Sequence, residues 1–402
     1  MNYSNEIPKR VRVLILGGGI HGTGTLHDLA TRGWKDIFLV EKNTLASATS
    51  SASTKLVHGG LRYLQNPRNF PLVGSALKER YNLKNLAPDL VFPLEFYLPV
   101  LKHAGLPGPI LKIGLTLYDI LAGKYGVGKN KKLSLKEVQE NTPYLNMENV
   151  SSVYRYWDMK TNDYKLVHRV ADSALHLGAG IREHTEALTI TPTEDGWLVT
   201  VKDTTQDKVY EISTKYLVNT TGPWSNRLLE KNNITPDYKA VNSKGVHLLF
   251  PDIGHKAAMF LQSPEDGRIF FVVPWEGATL VGTTETEYPG DPDKLTCDDV
   301  DIDYLLEKYN SYLTKKFTRE DIIKTFAGLR WLPTTDNKSL GKISRESVVS
   351  EIPSKGGVLY TIYGGKLTTY RLLAQNIGDR IVKHFKSFEE SHTIDPGMWF
   401  KE

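Results

Sequence analysis

One stretch constrains this chain more than any other. Residues 11–16 (VRVLIL) are a short β-branched and aliphatic run that stops at three consecutive glycines. Such a run reads as a parallel strand buried on both faces. Gly17-Gly18-Gly19-Ile20-His21-Gly22 then fits G-x-G-x-x-G, and a helical stretch through Leu26, Leu29 and Ala30 follows, with Gly33 suited to its C-terminal cap. A second strand, residues 37–40, ends at Glu41, 19 residues past the last glycine, where about 20 is expected for an acid that bonds ribose hydroxyls. Each part has a physical reason. Gly17 permits the tight turn, Gly19 lets backbone approach a pyrophosphate, and Gly22 lets helix pack on strand. Ile20 and His21 occupy the first helical turn, whose free N–H groups and positive potential favour phosphate. An acid rather than a base after the second strand disfavours a 2′-phosphate, leaving FAD or NAD over NADP.

Composition narrows the remaining classes. The 402 residues are 40% apolar and 24% charged, an ordinary globular balance for two or three structural units. Fifty Lys and Arg against 46 Asp and Glu leave a net charge of +4, too weak to imply nucleic acid. The single cysteine, Cys297, excludes an intramolecular disulfide and cysteine-ligated metal clusters, and a reducing compartment is the default. No metal site is expected. Mean hydropathy is −0.33, no run of about 18 apolar residues exists, and residues 1–10 hold no apolar signal core.

The next segment separates the dinucleotides. Residues 45–62 (LASATSSASTKLVHGGLR) form a dense run of small and hydroxyl residues ending at a glycine pair, a poor helix and a good close-packed loop. A flavin needs many backbone and hydroxyl donors along an extended path, and Thr49, Ser50, Ser51, Ser53, Lys55, Leu56, His58, Gly59 and Gly60 supply them. The runs TSSASTKLVHGGLRYL (49–64), NTTGPW (219–224), PWEGATLVGTTETEYPGDP (274–292), AGLRWL (327–332) and GGKLTTYR (364–371) resemble, in the same order, the FAD-dependent glycerol-3-phosphate dehydrogenases. That family lies in the D-amino-acid-oxidase-like flavoprotein superfamily. The resemblance implies FAD as cofactor, with Ala187, Thr221, Gly222, Gly328, Gly364, Gly365, Thr368 and Thr369 beside it. It also implies glycerol 3-phosphate as substrate, a quinone or other electron acceptor, and peripheral contact with the inner face of the plasma membrane for an otherwise cytoplasmic protein. Family members commonly carry a C-terminal helical domain after GGKLTTYR, and only about thirty residues follow it here.

The expected fold class is α/β, a Rossmann-like FAD-binding domain with an antiparallel β-sheet substrate/cap domain. The expected division gives 1–100, 145–225 and 325–402 to the first and 101–144 and 226–324 to the second. Residues 197–201 and 211–217 alternate as antiparallel strands, residues 246–250, 269–273 and 279–281 are further β-runs, and 299–312 has helical spacing through Val300, Tyr304, Leu305, Tyr309 and Tyr312. Residues 106–125 form an apolar helical stretch with Lys102, Lys112, Lys124 and Lys129 in and around it. Two readings stay open: a helix buried on the protein, or an interfacial helix dipping into a bilayer.

Oxidising an alcohol carbon with a flavin requires an anion anchor, a base for the hydroxyl proton and a dry pocket. Arg62 with Tyr63, Arg330 and Lys366 are the candidate phosphate-gripping set, and by resemblance they match substrate-binding positions. His247, at the head of a β-run, is the candidate general base, and Arg330 and Lys366 join it as catalytic candidates. The alternative activity is a related oxidase or dehydrogenase of an amine or 2-hydroxy acid, whose carboxylate needs only one bidentate arginine.

Overall fold

The computed structural model describes residues 6–103, 105–334, 346–385 and 389–401. β1 (Arg10–Leu16) runs into α1 (Ile20–Thr31) and returns as β2 (Ile37–Val40). The two strands pair in parallel from Val13↔Ile37 to Leu16↔Val40. β1 alternates as a strand buried on both faces must. Val13 and Ile15 enter the core with Leu26 and Leu29 of α1, while Leu14 and Leu16 enter the core on the other face. Gly33, at φ +86°, ends the helix by donating its N–H to the Ala30 carbonyl.

The chain then leaves this unit through β3 (Leu56–Val57), α2 (Phe70–Leu86), β4 (Val91–Leu101), α3 (Gly108–Ala122), β5 (Lys131–Lys132), α4 (Leu135–Asn141) and β6 (Val150–Thr161). α5 (Asp163–His176), β7 (Gly180–Arg182), β8 (Thr185–Thr193), β9 (Gly196–Asp203) and β10 (Lys208–Asn219) bring it back. After α6 (Ser225–Lys231) come β11 (Lys239–Pro251), β12 (Ala258–Gln262), β13 (Ile269–Trp275), β14 (Ala278–Gly282), β15 (Thr286–Glu287), α7 (Asp299–Ser311) and β16 (Lys324–Thr334). β17 (Val348–Pro353), β18 (Val358–Tyr363) and α8 (Tyr370–His384) complete the first unit.

Among the described residues two sheets result. The first has eight strands in the order β17-β18-β10-β1-β2-β7, with the β8–β9 hairpin on β10; β18, β10, β1, β2 and β7 are parallel. The second has ten strands in the order β15-β11-β14-β13-β12-β4-β6-β3, with β16 on β11 and β5 on β6. It is antiparallel except where β12 meets β4. The α/β class with an antiparallel second sheet is therefore as expected, but sheet membership draws the division elsewhere. β3, most of β4, β6 and β16 fall in the stretches expected for the nucleotide unit, and all four lie in the second sheet. The reason is pairing at long range: β16 registers with β11 from Lys239↔Thr334 to Leu249↔Lys324, and β4 with β6 from Val91↔Thr161 to Leu101↔Val150.

The second sheet is also sorted by a period of two. Val246, Leu248 and Phe250 of β11 pack with Leu305 and Tyr309 of α7, so Gly245, His247 and Leu249 point the other way. Val300, part of the helical spacing on α7, instead stands 82% exposed. α3 buries Leu115, Tyr118 and Ala122 and leaves Ile110 54%, Ile113 69% and Ile120 69% exposed. One face of the helix is core and the opposite face is an exposed apolar stripe.

Candidate active site

A cavity of about 610 Å³ runs from the carboxyl ends of the parallel strands to the inner face of the second sheet, the size of a small-molecule or cofactor site. β1 and β2 end together at Leu16↔Val40, and β1 and β10 at Leu16↔Asn219, so Gly17, Glu41 and Thr220 gather at one crevice. This is where open parallel sheets bind ligands. Gly17 adopts φ +104°, and a methyl group on it would stand 2.8 Å from the Thr220 carbonyl oxygen. The Thr220 hydroxyl donates to the Leu16 and Gly17 carbonyls at 2.7 and 3.0 Å. Glu41 accepts the N–H of Gly18 at 2.6 Å and of Asn43 at 2.8 Å, while burial raises its pKa above the usual carboxylate range. The N-cap of α1 is Gly19, which has no side chain to offer, and the Ile20 N–H donates instead to Ser50 Oγ at 2.9 Å.

The hydroxyl-rich loop is held by a carboxylate distant in sequence. Asp163 Oδ2 accepts from the Ser53 N–H at 3.2 Å and hydroxyl at 2.6 Å, and its Oδ1 pairs with Lys55 Nζ at 2.7 Å. Lys55 Nζ also donates to the Ser51 carbonyl at 2.5 Å. A buried lysine–aspartate pair is tolerable only when other hydrogen bonds complete it, and here they do. The Thr49 hydroxyl donates to the Leu329 carbonyl at 2.9 Å, and the His58 N–H donates to the Thr368 hydroxyl at 3.1 Å, tying the loop to β16 and to the segment before α8.

At the far end stands His247, buried and stacked on Phe326 with centroids 4.9 Å apart. Its Nε2 lies 3.0 Å from Thr54 Oγ1, and among the described residues its buried Nδ1 has no partner. Burial, then the charges of Arg330 and Lys55, push the imidazole well below its ordinary 6.5. Arg330 brings Nη1 and Nη2 beside Gly245, at 3.3 and 3.4 Å from where a Cβ would sit. Lys366 Nζ lies 3.8 Å from the centre of the Tyr63 ring, a cation–π contact. Arg62 is exposed at the rim.

The sequence-derived candidates mostly meet on this one surface. Arg62, Tyr63, His247, Arg330 and Lys366 all line the cavity, as do Gly17, Gly19, Ile20, His21, Glu41, Thr49, Ser50, Ser53, Leu56, His58, Gly60, Ala187, Thr221, Gly222, Gly328, Gly364, Gly365 and Thr368. Gly22, Ser51, Lys55, Gly59 and Thr369 stand behind that lining. Gly22 packs against the Gly17 carbonyl, Lys55 turns its ammonium to Asp163, and Thr369 occupies the residue before α8. Sequence reasoning passed over Thr54, Thr220, Asp158 and Asp163. The last two belong to one short run, WDMKTND, and their spacing on a strand and the following helix start was the available signal.

The residues present suit FAD. The cradle around Gly17 admits no side chain, and the start of α1 lines the cavity with Gly19 and Ile20. On the cavity wall, the buried Nδ1 atoms of His21 and His247 lack partners among the described residues, and such atoms are rare unless a ligand completes them. The family model described as FAD dependent oxidoreductase matches residues 12–371, and the chain belongs to that family. Within it the chain stands with the glycerol-3-phosphate dehydrogenases. It is 33% identical over 384 residues to the aerobic glycerol-3-phosphate dehydrogenase of Escherichia coli (strain K12), covering 95% of this chain and 75% of that protein. It is 34% identical over 381 residues to D-erythritol 1-phosphate dehydrogenase of Brucella abortus (strain 2308), covering 94% and 74%. The solved structure of glycerol-3-phosphate dehydrogenase from Bacillus halodurans complexed with FAD superposes with a TM-score of 0.77 at 29% identity, over 96% of this chain and 67% of that one. The chain thus spans about two thirds to three quarters of these relatives.

Proposed function

We propose that the chain oxidises sn-glycerol 3-phosphate to dihydroxyacetone phosphate and passes the electrons to a quinone-type acceptor. The observation that carries this reading is that one buried, neutral imidazole and three cations line the same cavity. Arg62, Arg330 and Lys366 suit a phosphate dianion, whereas a carboxylate substrate needs a single bidentate arginine. His247 is kept neutral by burial and nearby positive charge, so it is free to take the proton of the substrate hydroxyl. Thr54 fixes the ring through Nε2, and the positive side chains around it stabilise the alkoxide as its proton leaves. FAD, when bound, supplies the hydride acceptor.

The exposed stripe of α3 supports delivery at a membrane surface. Ile110, Ile113 and Ile120 lie on one helical face, with Leu106 exposed just before it and Lys124 just after. Among the described residues no helix is long and apolar enough to cross a bilayer.

One experiment tests substrate and acceptor in turn. Anaerobic glycerol 3-phosphate should bleach the bound flavin, and D-erythritol 1-phosphate should do so more slowly; glycine and 2-hydroxyglutarate should leave it oxidised. Quinone in phosphatidylglycerol vesicles should then restore the colour. Bleaching by glycine or 2-hydroxyglutarate alone would transfer the chain to the amine or hydroxy-acid reading.

A further inference from the structure

Asp158 of β6 lies outside every motif that marks the cofactor loops, yet it is buried and gathers donors from three separate elements. Arg80 Nη1 of α2 reaches it at 2.6 Å, the Tyr118 hydroxyl of α3 lies 2.9 Å from each carboxylate oxygen, and the Gly59 N–H donates to it at 3.1 Å. Burial and the Asp158 charge raise Tyr118 well above the ordinary tyrosine value, so its hydroxyl stays protonated and donates. The Gly59 position has no room for a side chain, because a Cβ there would meet the Tyr118 hydroxyl itself. Gly60 follows at φ +83°, a left-handed conformation that only glycine adopts without strain. Its carbonyl accepts the Tyr63 N–H at 2.9 Å and opens the single turn Leu61–Gln65 that carries Arg62 and Tyr63, with Lys366 over the Tyr63 ring.

We propose that Tyr118 is a positioning residue for the reaction end of the cavity: through Asp158 it fixes the Gly59–Gly60 turn, and with it Arg62, Tyr63 and Lys366 relative to the bound flavin. Charge balance does not require the hydroxyl, since Arg80 already pairs with Asp158 at 2.6 Å. Packing does not require it either, since phenylalanine would fill almost the same volume. What the hydroxyl adds is a directional link from α3 to the carboxylate that orients Gly59. This inference rests on the FAD and phosphate reading above and deepens it.

The test is Tyr118→Phe in the full chain loaded with FAD. The expected result is an altered visible circular dichroism of the bound flavin, together with a lowered melting temperature, because among the described residues the Tyr118 hydroxyl alone donates to buried Asp158 Oδ2. Inorganic phosphate, titrated against the flavin absorbance, should bind about tenfold more weakly, the loss of one hydrogen bond to a charged group as Arg62 or Lys366 shifts from its place. The KM for glycerol 3-phosphate should rise by a similar factor with kcat little changed. Flavin dichroism and phosphate affinity identical to wild type would overturn the proposal. Should wild type fail to bind phosphate or oxidise glycerol 3-phosphate, the substrate reading falls, and the flavin dichroism of Tyr118→Phe still decides the role of Tyr118. Asp158→Glu, which keeps the charge but shifts the carboxylate, should perturb the same dichroism; an unchanged spectrum would count equally against it.

Discussion

The two ends of the cavity are built on opposite plans. The nucleotide end is largely backbone: Gly17 and Gly19 line it with main chain, and Glu41 is held there by the N–H groups of Gly18 and Asn43. The reaction end is made of side chains brought from four distant segments, around residues 54–63, 247, 330 and 366. Backbone geometry written into a local motif can serve any dinucleotide, whereas chemistry on one substrate needs particular groups at particular distances. Cofactor affinity and turnover should therefore be separable by mutation.

The largest effect should come from the reaction end. His247→Gln keeps a hydrogen-bonding side chain of similar length but removes the base, and the anaerobic rate of flavin reduction should fall about 10²–10⁴-fold. FAD affinity should stay within twofold of wild type. A variant that lost FAD in parallel with its rate would break the division, because His247 would then be part of the cofactor cradle.

A middle-sized effect should appear in acid and tests the cavity against the rest of the fold. Burial lowers His21, His27 and His255 from 6.5 to about 4 in the folded protein. The unfolded chain takes up their protons first as pH falls, so the stability they contribute is complete above 6.5 and lost progressively down to about 4. At pH 5 each costs about 2 kcal/mol, readable in urea melts of the FAD-loaded protein. His27, which meets the Met398 carbonyl at 2.8 Å away from the cavity, supplies the control. His27→Gln and His21→Gln should each flatten the acid limb by that amount. A flattening confined to His21→Gln would tie acid sensitivity to the cofactor site instead.

What the sequence made legible follows the same line between local and distant. The β1–α1–β2 unit, α7 and three strands of the second sheet, β11, β13 and β14, are encoded within windows of a dozen residues. Alternation along β11 also turns His247 away from α7. Sheet membership of β4, β6 and β16 was not legible, because each is fixed by a partner strand far along the chain. Lys55 was read toward the flavin because its ion-pair partner lies 108 positions away, and nothing local marks Asp163 as that partner. The surroundings of α3 were undecidable from spacing alone. An apolar helix with lysines around it has the same pattern whether its outer face meets protein or lipid, and only the exposure of Ile113 and Ile120 shows that protein leaves it uncovered.

The smallest effect belongs to the nucleotide end and sharpens the contrast most directly. Glu41 holds the Gly18 and Asn43 N–H groups with its two oxygens while facing the cavity. Glutamine retains one acceptor but points an amide N–H₂ at a second donor, so one of these hydrogen bonds to a charged group is lost. Only a bond or two changes and the backbone cradle remains, so Glu41→Gln should weaken FAD binding about tenfold. Measured by flavin fluorescence on dilution, that loss should be reversed by added FAD, and the reloaded enzyme should reduce at the wild-type rate. The carboxylate lies at the opposite end of the cavity from His247 and holds the turn between strand and helix, not the reacting groups. A slow reduction rate at saturating FAD would mean that the β1–α1 turn transmits its position to the reaction end, and the two plans would then be one.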